Sequence, residues 1–219
     1  MKKIVVTLSA LLFLCFQMEA KKIKNKMVLM ETTMGNIKLE LYADVPQHSE
    51  NFLKLVKEGF YDSLLFHRVI PSFMIQGGDP QSKNAPDGQM LGNGDVGYRV
   101  PAEFMVEKYY HKKGALAAAR DNNPDKASSG CQFYIVVGKK YTDEELNQVE
   151  ARNGFKYSEQ ARNDYKTVGG TPFLDNGYTV YGQLLEGQEV VDAIANVERS
   201  AGDRPNVNVR VLTAKIVKK

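Results

Sequence analysis

The sequence predicts a mainly β domain carrying a few short helices, and three stretches predict it. Ile37, Leu39 and Leu41 alternate with Asn36, Lys38 and Glu40, the period of two that gives a strand one dry and one wet face. Residues 131–137 form an apolar run bounded by Gly130 and Gly138, as expected of a strand buried on both faces. Val207, Val209 and Val211 alternate again before Ile216, near the carboxyl end. With 219 residues, 43% of them apolar and 10% aromatic, the chain can bury a sizeable core.

The amino end reads as a separate element. Lys2 and Lys3 precede a largely apolar run over 4–16, and polarity returns at Gln17. A bilayer-spanning helix needs about 20 apolar residues, so 1–20 read as a secretory signal cleaved after Ala20, with no membrane span. Export to the periplasm of a Gram-negative cell follows. The alternative is a lipoprotein anchored through Cys15, which follows Leu12, Phe13 and Leu14. Residues 21–26 read as a solvated tether, and 27–219 as the folded domain.

That domain opens with a hairpin, 27–30 and 37–42 about a turn at 32–36. Asp44 is placed to cap a helix that Pro46 starts and Gly59 stops, with Phe52, Leu55 and Val56 on its inner face; it is expected to plug one end of a barrel. Residues 79–97, rich in Gly, Pro, Asn and Asp, read as loop. Residues 114–119 are a short run of small apolar residues, and 121–130 a loop with Asn-Pro turn chemistry.

Residues 139–170 depart in composition, with six basic and six acidic residues. Thr142 and Glu145 make a capping box that starts one helix, Asn153-Gly154 ends it, and Ser158 starts a second that runs through Tyr165. This reads as a helical hairpin inserted between two strands, without the apolar residues for a core of its own. The chain then resumes a strand over 179–184, a helix over 187–197 with Val190, Ile194 and Val197 on one face, and a closing strand over 207–217.

Composition excludes several functions. A net charge of +3 with interspersed signs leaves no nucleic-acid footprint. If 1–20 are removed, Cys131 is the one remaining cysteine, so it forms no internal disulfide and reads as a small buried hydrophobe. His48, His67 and His111 share no metal-ligand spacing, so no metal is expected. Gly92, Gly94 and Gly97 match G-x-G-x-x-G but lack the strand before and helix after that a dinucleotide site requires, so no cofactor is expected either. No G-x-S-x-G elbow supports a hydrolase.

What remains is the run from Phe66 to Asp79, Phe-His-Arg-Val-Ile-Pro-Ser-Phe-Met-Ile-Gln-Gly-Gly-Asp. Strand alternation places Arg68, Ile70, Met74 and Gln76 on one surface, joining a charged fork, a carboxamide and an apolar floor. The run resembles the signature of the cyclophilin-type peptidyl-prolyl cis-trans isomerases, and further matching segments lie at Ala119-Arg120, 130–135 and 173–182. The resemblance covers nearly all of 28–217 apart from the insert and the 81–97 loop.

The resemblance implies a closed eight-stranded antiparallel β-barrel capped by two helices. It also implies cofactor-free isomerisation of X-Pro bonds, here assisting the folding of exported proteins, with proline-containing polypeptides as partners; the chain is expected to be a monomer. The alternative is a proline-peptide-binding module or chaperone with little catalytic turnover. Such an enzyme breaks no covalent bond; it lowers a rotational barrier of about 18–20 kcal/mol by binding the twisted amide better than the planar one. Arg68, Phe73, Met74 and Gln76 match the catalytic arginine and the start of the proline pocket, and Leu174 is expected to complete the apolar cup with Phe73 and Met74. Ala119 matches the alanine that meets the substrate backbone, and Gln132 the second pocket glutamine.

Departures fall on the rim. Tyr134 stands where a phenylalanine is usual, Phe173 where eukaryotic members carry tryptophan, Tyr178 where they carry histidine and Arg120 where they carry asparagine. The missing indole implies weak binding of cyclosporin. The hydroxyl that Tyr134 adds must find a partner.

Overall fold

The computed structural model describes residues 24–218; the signal and the first part of the tether lie outside the described residues. The first strand already begins at Lys26, within the expected tether, and the Asn25 Oδ1 accepts from the Ala43 backbone N–H.

Ten strands and four α-helices follow in chain order. They are β1 Lys26–Thr32, β2 Gly35–Leu41, α1 Pro46–Lys57, β3 Arg68–Ile70, β4 Met74–Gly77, β5 Arg99–Val100, β6 Ala115–Ala118, β7 Ser128–Ser129 and β8 Phe133–Val136. Then come α2 Asp143–Asn153, α3 Glu159–Thr167, β9 Val180–Glu186, α4 Gln188–Ala195 and β10 Val211–Val217. Eight strands make one antiparallel sheet in the order β10-β1-β2-β9-β6-β8-β4-β3, while β5 and β7 pair separately.

The sheet is strongly curled, a half-barrel rather than one continuous closed ladder. Its edge strands β3 and β10 do not pair with each other. The chain before β3 bridges to the start of β10 instead: Phe66 N–H donates to the Val209 carbonyl at 2.9 Å, and Val211 N–H to that of Leu64 at 2.8 Å. The expected strand at 207–210 is absent. Val207 is 81% exposed and the ladder starts at Val211, because this stretch follows the 63–66 segment instead of the sheet.

Alternation sorts each strand between two cores. Ile75, Leu116, Ala118, Phe133 and Ile135 point inward, with Phe52, Tyr61 and Phe66 packed around the Phe133 ring. Met74, Ala115, Ala117, Tyr134 and Val136 point outward into a second cluster. Helix α1 packs on β9 and β10, and α4 on β2, β3 and β4, so the two cover different parts of the curl. The buried face of α4 is Val191, Ile194 and Ala195; Val190 and Val197 lie beside it rather than on it.

Asp44 does not cap α1; its carboxylate binds Lys108 and the Tyr109 hydroxyl. The cap comes from Glu103, whose two oxygens accept from the backbone N–H of Gln47 and His48, at 3.2 and 3.0 Å, and from His48 Nδ1 at 2.7 Å. A carboxylate there satisfies otherwise orphaned N–H groups and complements the helix dipole.

The insert is a pair of helices, as expected. Thr142 and Glu145 form the reciprocal capping box, and Gly154 ends α2 at φ 74, a left-handed conformation that suits glycine. It nevertheless has a core, with tyrosines as its largest members: Tyr157 and Tyr165 join Leu146, Val149 and Ala161 against Tyr110 of the main domain. Arg162 and Lys156 neutralise the buried Glu150. Gly170 returns the chain so closely to the domain that a Cβ there would lie 2.3 Å from the His111 carbonyl oxygen.

Candidate active site

β3 and β4 form a tight hairpin in which Arg68 pairs with Gln76 and Ile70 with Met74. The turn is closed by Phe73 N–H donating to the Ile70 carbonyl, with Ser72 at φ 59. Cross-strand partners share a face, so the guanidinium and the carboxamide stand together above Met74, as their spacing predicts. A groove of about 630 Å³ opens there on the outer face of the sheet. Its depth follows from β6 and β8: Ala115, Ala117 and Ala119 are too small to fill the surface that Met74 and Tyr134 flank.

Arg68, Phe73, Met74, Gln76, Ala119, Arg120, Tyr134, Leu174 and Tyr178 all line this groove. Arg68 is oriented by two contacts. Its Nε lies 3.7 Å from Asp203 Oδ2, and its guanidinium carbon lies 5.9 Å from the centre of the Phe73 ring. Phe173 sits outside the groove, 45% exposed, with its ring 5.8 Å from that of Phe73. Arg120 covers the Tyr178 ring at 4.7 Å, while its Nε donates to the Gly177 carbonyl.

Gln132 lies behind the groove, 7% exposed. Its Nε2 donates to the carbonyls of Gly92 and Gly94, both at 2.9 Å, and its Oε1 accepts from Gln76 Nε2 at 3.0 Å. Two carbonyl partners fix which end of the Gln132 amide is nitrogen. That in turn turns the Gln76 carbonyl oxygen toward the groove. The G-x-G-x-x-G segment is thus a loop pinned by Gln132.

The backbone of Ala119 is engaged within the protein, its N–H by the Gln132 carbonyl and its carbonyl by Ser129 N–H. No described residue bonds to the N–H or C=O of Arg120. The main chain available to a peptide is therefore that of Arg120, one residue beyond the alanine that sequence comparison selects.

The Tyr134 hydroxyl finds its partner away from the groove, in His111 Nε2 at 2.9 Å. Burial pushes its ionisation well above the usual phenol range. His111 Nδ1 in turn lies 2.6 Å from Asp175 Oδ1, which also accepts from the His111 backbone N–H. Asp175 Oδ2 accepts from the hydroxyls of Tyr157 at 2.8 Å and Tyr165 at 2.5 Å. A carboxylate offers only acceptors, so Nδ1 carries a His111 hydrogen; the Tyr134 hydroxyl has no other acceptor among the described residues, which assigns its hydrogen to Nε2. Tyr134 presents only its ring to the groove.

Sequence reasoning missed Asp203, His111 and Asp175, and its reading of His67 as a hydrogen-bonded core histidine is right about burial and wrong about the hydrogen bond. His67 borders the groove, and neither of its ring nitrogens has a hydrogen-bond partner among the described residues. Burial, with help from Arg68 and Arg204 and against Asp79, pushes its pKa down to about 4. Glu103, His48 and Ser128 also line up, with Ser128 Oγ 2.9 Å from His48 Nε2, like a hydrolase relay. That serine is 1% exposed and His48 3%, so no substrate reaches them. Among the described residues no cluster of three His, Cys, Asp or Glu is arranged to hold a metal ion.

A protein of Staphylococcus haemolyticus described as a candidate peptidyl-prolyl cis-trans isomerase is 37% identical over 179 residues, 81% of this chain and 84% of the relative. A Streptococcus pyogenes protein, described as a candidate bifunctional phosphatase and peptidyl-prolyl cis-trans isomerase, is 39% identical over 194 residues. The match covers 86% of this chain but only 38% of that protein. The fold is similar to the crystal structure of a Cryptosporidium parvum cyclophilin-type peptidyl-prolyl cis-trans isomerase. That likeness has a TM-score of 0.66 at 22% identity and covers 90% of this chain and 99% of that one. The family model for cyclophilin-type peptidyl-prolyl cis-trans isomerases matches residues 27–216. On the family match, the relatives and the fold together, the chain belongs to the cyclophilin-type peptidyl-prolyl cis-trans isomerases.

Proposed function

We propose that this isomerase acts on X-Pro bonds of exported polypeptides and that Arg68 and Gln76 carry the catalysis. The observation that supports this most is the Arg68–Gln76 cross-strand pair standing over Met74 at the mouth of the groove. Planarity of an X-Pro amide rests on the prolyl nitrogen sharing its lone pair with the carbonyl. As the bond twists, that lone pair localises on nitrogen and accepts a hydrogen bond from the Arg68 guanidinium, which is always charged and presents fixed donors. An interaction made only in the twisted state raises turnover rather than affinity.

Asp203 and the Phe73 ring hold the guanidinium in place beforehand. The prolyl ring enters the cup of Phe73, Met74 and Leu174, walled by Tyr134. The substrate backbone docks on the Arg120 main chain as an added strand docks on a sheet edge, and the Gln76 carbonyl accepts one of its N–H groups.

The test is the exchange rate of an Ala-Pro peptide, read by NMR line shape. Arg68→Ala is expected to lose about 10²–10³ of the acceleration, the usual cost of removing a preorganised donor, while still binding peptide. Equal acceleration by the variant overturns the assignment.

Export to the periplasm rests on the 1–20 segment. The mass of the amino terminus recovered from cells is expected to begin at Lys21, and a diacylated Cys15 refutes soluble release.

A further inference from the structure

We propose that the 139–170 insert is a positioning element for the proline cup, acting on Tyr134 through Asp175 and His111. This rests on the reading of the groove given above. The connection is continuous and buried: Tyr165, His111, Asp175, Tyr134 and Tyr157 are between 0 and 8% exposed. Each joint is a hydrogen bond of 2.5 to 2.9 Å.

The insert supplies the two phenols on Asp175 Oδ2, from α3 and from the loop before it. Asp175 belongs to the segment after the short helical turn Pro172–Leu174, His111 lies between β5 and β6, and Tyr134 is on β8. Four separate parts of the chain therefore meet at one carboxylate and one imidazole.

The phenols do more than fill space. Asp175 accepts four times, twice from His111 and once from each tyrosine, although Tyr157 shares its single proton with the Pro172 carbonyl at 2.8 Å. With Oδ2 held by the tyrosines, Oδ1 is left facing His111. That fixes the imidazole with its hydrogen on Nδ1 and its acceptor on Nε2 aimed at Tyr134.

The Tyr134 ring is the wall of the cup, and a ring tied at its far end resists the tilting that a phenylalanine there permits. The rings of His111 and Tyr134 lie nearly parallel, 13° apart, and that of Tyr178 meets Tyr134 edge-on at 80°. A tilt of Tyr134 therefore moves the far wall of the cup as well. The Tyr157 hydroxyl and the Asp175 backbone N–H both donate to the Pro172 carbonyl in the turn that carries Leu174.

A double-mutant cycle tests the coupling, with peptide Kd, kcat/KM and the ¹⁵N spectrum of His111 read together. Tyr157→Phe/Tyr165→Phe keeps both rings but removes both hydroxyls; Tyr165→Phe alone is the gentler variant should the pair fail to fold. Either the insert change or Tyr134→Phe is expected to weaken Ala-Pro peptide binding and kcat/KM about fivefold, as loss of one buried hydrogen bond typically does.

The two changes combined are expected to cost no more than one, because they interrupt one chain. The His111 spectrum is expected to lose its single Nδ1–H form in the insert variant. Losses that multiply, or an insert variant that folds and binds peptide as wild type does, overturn the proposal. A wild type that binds peptide without accelerating exchange overturns the catalytic reading instead, and the Kd and ¹⁵N measurements still decide the role of the insert.

Discussion

Replacing His67 by leucine is expected to remove one large acid-sensitive contribution to the stability of this fold between pH 6.5 and 4. His67 is buried, 3% exposed, with no hydrogen bond to either ring nitrogen among the described residues. Its pKa is pushed down from 6.5 to about 4, mainly by burial. The unfolded chain therefore takes up this proton first as the pH falls. Stability from the uncharged ring is complete above pH 6.5, declines down to about 4, and is level below that. Each pH unit in that window is worth about 1.4 kcal/mol, so the whole interval amounts to about 3 kcal/mol. That is a sizeable share of the ~5–15 kcal/mol that holds a typical domain together.

Urea unfolding at pH 7 and at pH 4.5 measures it. The wild type should lose more than 2 kcal/mol relative to His67→Leu across that interval, reading the difference between the two proteins so that other groups cancel. At pH 7 the variant should be nearly as stable as wild type, since an apolar side chain there leaves no polar atom unpaired. Curves for the two proteins that stay parallel from pH 7 to 4.5 refute the argument, as does a ¹⁵N titration of His67 centred near 6.5.

Two other perturbations follow from the geometry. Glu103→Ala removes the acceptor for two helix N–H groups and for His48 and should cost about 2 kcal/mol by urea unfolding. Burial raises the Glu103 pKa, but hydrogen bonds from His48 and the α1 backbone outweigh it and hold the pKa below its usual 4.5. The wild-type contribution should therefore be present above that pH and fade as the pH falls through the folded value; an unchanged acid limb in the variant refutes this. Gln132→Glu keeps the shape and the acceptor for Gln76 but points an oxygen at the Gly92 and Gly94 carbonyls, and should lower kcat/KM about tenfold by releasing the 79–97 loop that borders the groove. Undiminished Ala-Pro exchange in that variant shows that the loop needs no pinning by residue 132.

What the sequence made legible is what neighbours along the chain decide. Alternation in β2 and across β3 and β4, the Thr142 capping box and the Gly154 stop all rest on residues within a few positions of one another, and all occur where expected. Asp44 has the right chemistry for a cap and the right place for one. It loses to Glu103, some sixty residues later, because Lys108 and Tyr109 compete for its carboxylate. Val207 alternates correctly but has no strand to pair with. The insert reads as polar because much of its core is tyrosine, whose ring packs while its hydroxyl bonds, and simple apolar counting misses such residues.

Tyr134 shows how the two kinds of information combine. Its position in the cup follows from local alternation on β8, which the sequence carries openly. The consequence of its hydroxyl does not, because an added polar atom inside an apolar cup is a defect unless something distant accepts its proton. The acceptor is a histidine some twenty residues earlier, oriented by an aspartate some forty residues later, which is held in turn by two insert tyrosines. None of these residues is informative alone. A phenylalanine at 134 would leave His111 Nε2 unpaired, and a chain without the insert would leave Asp175 with one oxygen lacking both tyrosine donors. The hydroxyl on the cup wall and the inserted hairpin, two departures that look unrelated in sequence, are therefore ends of one hydrogen-bonded chain, and neither substitution is neutral without the other.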